Sequence, residues 1–164
     1  MKPRILIIDD SEDVRDLIRH HLRGQPIELV VAESGEEGLR VLDATDAIIN
    51  MVLLDLNMPG MDGFQFLDHI RNRRFEDRKY PRNPRKSHAA NLREAKRQDE
   101  EFHARLRELN VIVISARHQA QDVLKAREFN VAGYLVKPFT RETLFARINE
   151  ASGQTAVASA KPES

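Results

Sequence analysis

Four short apolar runs in this chain each end on a residue that can do chemistry. Arg4–Ile8 runs into Asp9 and Asp10, residues 48–54 into Asp55, residues 111–114 into Ser115, and Gly133–Val136 into Lys137. Together these are three carboxylates, a hydroxyl and an ammonium. Carboxylates brought close together repel, so they need a cation or a raised pKa. An all-oxygen set suits a hard divalent ion such as Mg²⁺, which keeps waters and shares a phosphate oxygen; Mn²⁺ could substitute. Asp55 is then the candidate nucleophile, attacking phosphorus to form an acyl phosphate. Lys137 would act as a point charge on the phosphoryl oxygens, and Ser115 would donate a hydrogen bond to one of them.

For these residues to meet, the runs must be parallel strands of one open sheet, where sites form beyond the carboxyl ends. The intervening segments support that arrangement. Ser11 can cap a helix carrying Val14, Leu17, Ile18 and Leu22, with Gly24 as its stop. A further strand is predicted over 27–32. The Ser34-Gly35-Glu36-Glu37 sequence is a capping-box pattern that opens a second helix. The third strand, 48–54, is apolar except for Asn50. A loop with Pro59, Gly60 and Gly63 follows, and Phe64, Phe66, Leu67 and Ile70 begin the third helix. A helix is predicted over 118–129, and Thr140 caps a last one carrying Leu144, Phe145 and Ile148. Five β-α units imply an α/β fold, a parallel sheet with helices on both faces.

Composition narrows the function classes. The chain has 164 residues and no cysteine, which rules out disulfides, a thiol nucleophile and a cysteine metal site. The first apolar run is too short for a signal peptide, and no stretch has membrane-spanning length. A cytoplasmic protein with no membrane contact is expected. The six histidines lack ligand spacing with partners. No phosphate-cradling glycine loop or G-x-S-x-G elbow is present. Residues 151–164 are small, polar and aperiodic, and are expected to be a disordered tail.

The formal net charge is zero, yet the stretch 71–108 carries a net +6 and the remainder a net −6. That stretch holds about thirty residues more than an ordinary helix-to-strand connection needs. An insertion is therefore placed at about 73–109. Its first part is rich in arginine and proline. It is either a solvated loop or a surface for an anion such as a nucleic acid or a cyclic dinucleotide, with Arg73, Arg74, Arg82 and Arg85 the candidates. Its second part is predicted helical over 87–109. A stripe of Leu92, Ala95, Phe102, Leu106 and Leu109, interrupted by Asp99, would pack on the domain or serve as an oligomerisation arm.

The sequences Ile7-Ile8-Asp9-Asp10, Leu53-Leu54-Asp55-Leu56-Asn57-Met58-Pro59-Gly60-Met61-Asp62-Gly63, Ile114-Ser115-Ala116 and Val136-Lys137-Pro138-Phe139 resemble the receiver domains of two-component response regulators, the CheY-like family. The resemblance spans about residues 2–150, the insertion excepted. It implies a doubly wound five-stranded sheet of flavodoxin-like order 2-1-3-4-5. It implies that Asp55 is the phosphoacceptor. Asp10, Asp55 and the Asn57 carbonyl would be Mg²⁺ ligands, with Asp9 acting mainly through water. Ser115 matches the switch hydroxyl, Ala116 its small neighbour, Tyr134 the aromatic switch and Lys137-Pro138 a pair whose peptide bond is usually cis. Asn57 and Arg117 fall where the family tunes dephosphorylation.

The same resemblance implies a phosphoprotein of a phosphorelay rather than a free-standing enzyme. A sensor histidine kinase or phosphotransfer protein would supply the phosphoryl group. Its transfer would bias the face made by the helix over 118–129, the fifth strand and the last helix toward a downstream protein.

Overall fold

The structure, a computed structural model, describes residues 2–44, 48–72 and 84–153. Its five strands are β1 (Arg4–Ile8), β2 (Glu28–Ala32), β3 (Met51–Leu54), β4 (Asn110–Ser115) and β5 (Gly133–Val136). They form one parallel sheet in the order β2-β1-β3-β4-β5. The helices are α1 (Glu12–His21), α2 (Gly35–Asp43), α3 (Gly63–Asn72), α4 (His88–Glu108), α5 (Ala120–Glu128) and α6 (Arg141–Ala151).

The central strands are apolar at successive positions because both of their faces are covered. Leu6, Ile8, Val52, Leu54, Val111 and Val113 belong to one buried cluster, with Phe64, Phe66 and Leu67 of α3 and Ala126 of α5. The alternate residues Ile5, Ile7, Met51, Leu53, Ile112 and Ile114 belong to the other, with Ile18 of α1 and Leu144 and Ile148 of α6. The period of two thus assigns each strand residue to a layer. Among the described residues no helix is long and apolar enough to cross a membrane.

Several element ends differ from the sequence reading. The third strand starts at Met51, not at 48. Asn50 closes the end of the sheet instead, accepting Arg4 N–H on its side chain at 2.8 Å and donating its own N–H to Arg4 O at 2.9 Å. Ile48, ahead of that closure, is exposed. β2 starts one residue late because Ile27 N–H turns back to Gln25 O. In α1 the buried positions are Arg15 and Ile18, whereas Leu17 faces water. The helix predicted over 118–129 is shorter, beginning at Ala120. Thr140 does cap α6, in a reciprocal box with Thr143.

The insertion contains a real helix. Ser87 caps α4 by accepting Ala90 N–H. The predicted stripe divides along its length: Phe102, Leu106 and Leu109 are buried in the main core cluster, while Leu92 is 64% exposed. The end of α4 is fastened by Arg71, the penultimate residue of α3. Its guanidinium donates to Leu106 O, to Arg107 O at 2.9 Å, to Leu109 O at 2.8 Å and to Phe129 O at 2.9 Å, with a longer bond to Asn130 O. Carbonyls at a helix end lack intrahelical partners, and a cation there also complements the helix dipole. Arg71 is therefore a structural clamp rather than part of a solvated basic run.

Candidate functional site

The sheet register brings the reactive residues together. Ile8 pairs with Leu54, and Ser115 with Val136. The ladder continues one residue further: Asp55 N–H donates to Ile8 O at 2.9 Å, and Lys137 N–H to Ser115 O at 2.9 Å. Each chemical residue therefore sits at the last rung, held by backbone rather than by a loop's chance conformation.

Asp9, Asp10 and Asp55 each offer an oxygen within 4.8 Å of the others. Asp9 and Asp55 are nearly buried and Asp10 is exposed. Lys137 Nζ lies 2.7 Å from Asp9 Oδ2 and 3.5 Å from Asp55 Oδ1. Asp9 Oδ1 accepts Ser11 N–H at 2.9 Å, so both oxygens of Asp9 are engaged. This is also where Ser11 departs from expectation, since its side chain makes no cap bond. Asp55 Oδ1, by contrast, is buried without a hydrogen-bond partner. Burial raises the Asp55 carboxyl above its ordinary value; the Lys137 charge pulls the other way, and Asp9 adds to the rise. A buried polar atom without a partner costs roughly 1–3 kcal/mol. One divalent cation would relieve both the carboxylate repulsion and the orphaned oxygen, and the all-oxygen donor set fits a hard ion.

The remaining candidates surround Asp55. Ser115 is fully buried, and its Oγ accepts Arg117 N–H at 3.2 Å. Arg117 Nε donates to Asn57 Oδ1 at 2.5 Å, and its Nη1 lies 3.6 Å from Asp122 Oδ1 on α5. Tyr134 is half-buried and donates its hydroxyl to Arg117 O at 2.8 Å. Burial pushes its phenol above the ordinary value, and Ser115 beside it opposes the rise. Ala116 leaves the neighbourhood without a bulky side chain. The Lys137–Pro138 peptide is cis.

Two further residues beside these turns carry little signal in the sequence. Arg15, 6% exposed, donates to Asp9 O at 2.8 Å and to Glu33 Oε1 at 3.1 Å. It holds the turn after β1, and its place three residues before Ile18 was the available signal. Glu36 reaches across to accept Met61 N–H at 3.0 Å. The expected capping box is incomplete there. Ser34 accepts Glu37 N–H, but Glu37 returns its carboxylate to Glu33 N–H rather than to Ser34. Of the insertion arginines, Arg85 is exposed, whereas Arg73, Arg74 and Arg82 lie outside the described residues, as does the tail from 154. Phe102 and Leu106 are core residues, which removes them from any exposed oligomerisation seam.

Residues 5–80 match the family model described as Response regulator receiver domain. The match stops inside the inserted segment. The chain is 29% identical over 148 residues to Chemotaxis protein CheY-3 of Vibrio cholerae, covering 90% of this chain and 89% of that one. It is 28% identical over 162 residues to Transcriptional regulatory protein PrrA of Mycobacterium tuberculosis, covering 97% of this chain and 55% of the relative. The chain spans about half the length of the transcriptional regulatory proteins it matches. The solved structure of Vibrio cholerae chemotaxis protein CheY4 superposes with a TM-score of 0.65 at 21% identity, over 92% of this chain and 99% of that one. That likeness extends the shared fold past the insertion.

Proposed function

The chain belongs to the response regulator receiver domain family of two-component systems, and on that premise we propose that it accepts a phosphoryl group on Asp55 in a Mg²⁺-dependent reaction. The observation that carries this reading is the buried Asp55 Oδ1, which has no hydrogen bond and lies within reach of two further carboxylates and of Lys137. Asp10, Asp55 and the Asn57 carbonyl would hold the ion. Asp9, with both oxygens engaged, acts through water. The ion, once bound, supplies positive charge to the phosphoryl oxygens.

The chain's own residues do the rest. An Asp55 carboxylate oxygen forms a bond to phosphorus as the bond to the donor's nitrogen or oxygen breaks, and the leaving group departs with the electron pair. Lys137, already between Asp9 and Asp55, neutralises charge on the transferred group. The Ser115 hydroxyl, donating to a phosphoryl oxygen, draws the strand β4 end inward. Tyr134 follows it, and the α5–β5–α6 face is biased toward a partner. In hydrolysis, water attacks phosphorus, the acyl-phosphate P–O bond breaks, and inorganic phosphate leaves Asp55 as carboxylate. Asn57, Ala116 and Arg117 flank the path of that water and tune its rate.

The receiver unit is residues 1–150, with the insertion at about 73–109 as an addition to it. The donor is a sensor histidine kinase or phosphotransfer protein, the target is a downstream protein, and the setting is cytoplasmic. The test is an amide NMR titration with beryllofluoride and Mg²⁺. Movement of Ser115, Tyr134 and the α5–β5–α6 face is expected. Unmoved resonances on that face would contradict the switch.

A further inference from the structure

The loop after β3, residues 55–62, carries both Asp55 and Asn57, so its path decides where the acceptor and the Asn57 carbonyl stand. At its far end two contacts tie it to the first turn of α2. Glu36 Oε1 accepts Met61 N–H at 3.0 Å, although the two residues are 25 apart in sequence. The Met61 side chain lies against Gly35, where an added Cβ would meet Met61 Cγ at 2.9 Å. Gly60, between them, adopts φ +73°, and a Cβ on it would come within 3.1 Å of Glu36 Oε1. The tight turn, the small residue on α2 and the carboxylate thus fit one another. Position favours the anion as well, since the first turn of a helix stabilises negative charge. The Glu36 carboxyl is held below its usual range, first by its own backbone N–H, with the Met61 amide adding to the effect. It is therefore charged at neutral pH, and an ionised acceptor makes the stronger hydrogen bond.

We propose that Glu36 is a positioning residue whose carboxylate latches the acceptor loop to α2 and thereby sets how well Asp10, Asp55 and the Asn57 carbonyl grip a divalent cation. Glu36 touches neither the cation nor the phosphoryl group; it acts through Met61 and the backbone between Met61 and Asn57. The inference rests on the reading of the three aspartates as a Mg²⁺ site, and the two can fail separately.

The test is an amide NMR titration of the full chain with Mg²⁺ alone, with no phosphodonor present, for the parent, Glu36→Ala, Glu36→Gln and Asp55→Asn. Glu36→Ala is expected to shift the Met61 amide toward weaker hydrogen bonding and to raise the Mg²⁺ Kd about fivefold, ~1 kcal/mol by the tenfold-per-1.4 conversion. Glu36→Gln keeps an oxygen for Met61 N–H and is expected to return the Kd to within about twofold of the parent, a margin under ~0.5 kcal/mol. A parent-like Kd in Glu36→Ala, with binding lost in Asp55→Asn, would overturn the latch and leave the metal site standing. Equal weakening in Glu36→Gln and Glu36→Ala would also overturn it, since charge at a distance would then be the cause. A parent that does not bind Mg²⁺ would overturn the metal-site reading and the latch with it.

Discussion

The carboxyl edge of the sheet and the junction of α3 with α4 both draw a charge away from water, and they treat it in opposite ways. At the junction, Arg71 is met by carbonyls from the end of α4, from Leu109 and from the end of α5. At the sheet edge, Asp55 is 5% exposed and retains an oxygen with no hydrogen bond. Its neighbours add like charge as well as opposite charge. The arginine is satisfied by carbonyls gathered at the ends of α4 and α5, and so the junction is structure. The aspartate keeps an oxygen without a hydrogen bond beside Lys137 and two further carboxylates, which suits the phosphoacceptor role proposed for it. Burial of a charge does not separate function from architecture; completeness of its hydrogen bonding does.

Arg71→Ala strands several helix-end carbonyls and is expected to cost about 3 kcal/mol, read by urea denaturation. Arg71→Lys, which offers no planar fork, recovers only part of that loss. Within α4 the same distinction can be sharpened by apolar truncation. Leu106→Ala is expected to cost about 3 kcal/mol because Leu106 is 1% exposed in the core cluster.

The expected effect at the sheet edge is smaller and has the opposite sign. Burial raises the folded-state pKa of Asp55 above its unfolded value. A group shifted in that direction contributes stability that is present below the unfolded pKa and is lost as pH rises through the folded one. At neutral pH without divalent ions, Asp55→Asn should therefore be more stable than the parent, by on the order of 1 kcal/mol. The gap should close as pH falls into the ordinary aspartate range. Added Mg²⁺ should stabilise the parent and not the variant. A parent more stable than Asp55→Asn in chelator at pH 7 would contradict this account. The smallest effect belongs to Leu92→Ala, within about 0.5 kcal/mol of the parent because that leucine faces water.

Strand positions and the four reactive strand ends were legible in the sequence because burial on both faces forces apolar runs, and chemistry sits where the runs stop. Asp9, Asp55, Ser115 and Lys137 needed only that rule. The helix inside the insertion was also legible, through Ser87 and the spacing of Phe102, Leu106 and Leu109. What escaped was long-range pairing. Nothing local distinguishes Arg71 from the arginines that follow it; only the fold brings Leu106, Leu109 and Phe129 to it. Arg15 carries little local signal of burial, because apolar spacing favours Leu17 for the core. Glu36 lies between the two ends of the Ser34–Glu37 capping pattern, and its partner Met61 is 25 residues away. Strand three is shorter than its apolar run predicts because the residues ahead of Asn50 have no neighbouring strand to pair with.

Intact mass is the most direct measure of whether Asp55 accepts a phosphoryl group. The full chain and Asp55→Asn are incubated with acetyl phosphate, each with and without Mg²⁺. One added phosphoryl group is expected on the parent, dependent on Mg²⁺ and absent from the variant. No addition to the parent under any condition, or equal addition to Asp55→Asn, would contradict it.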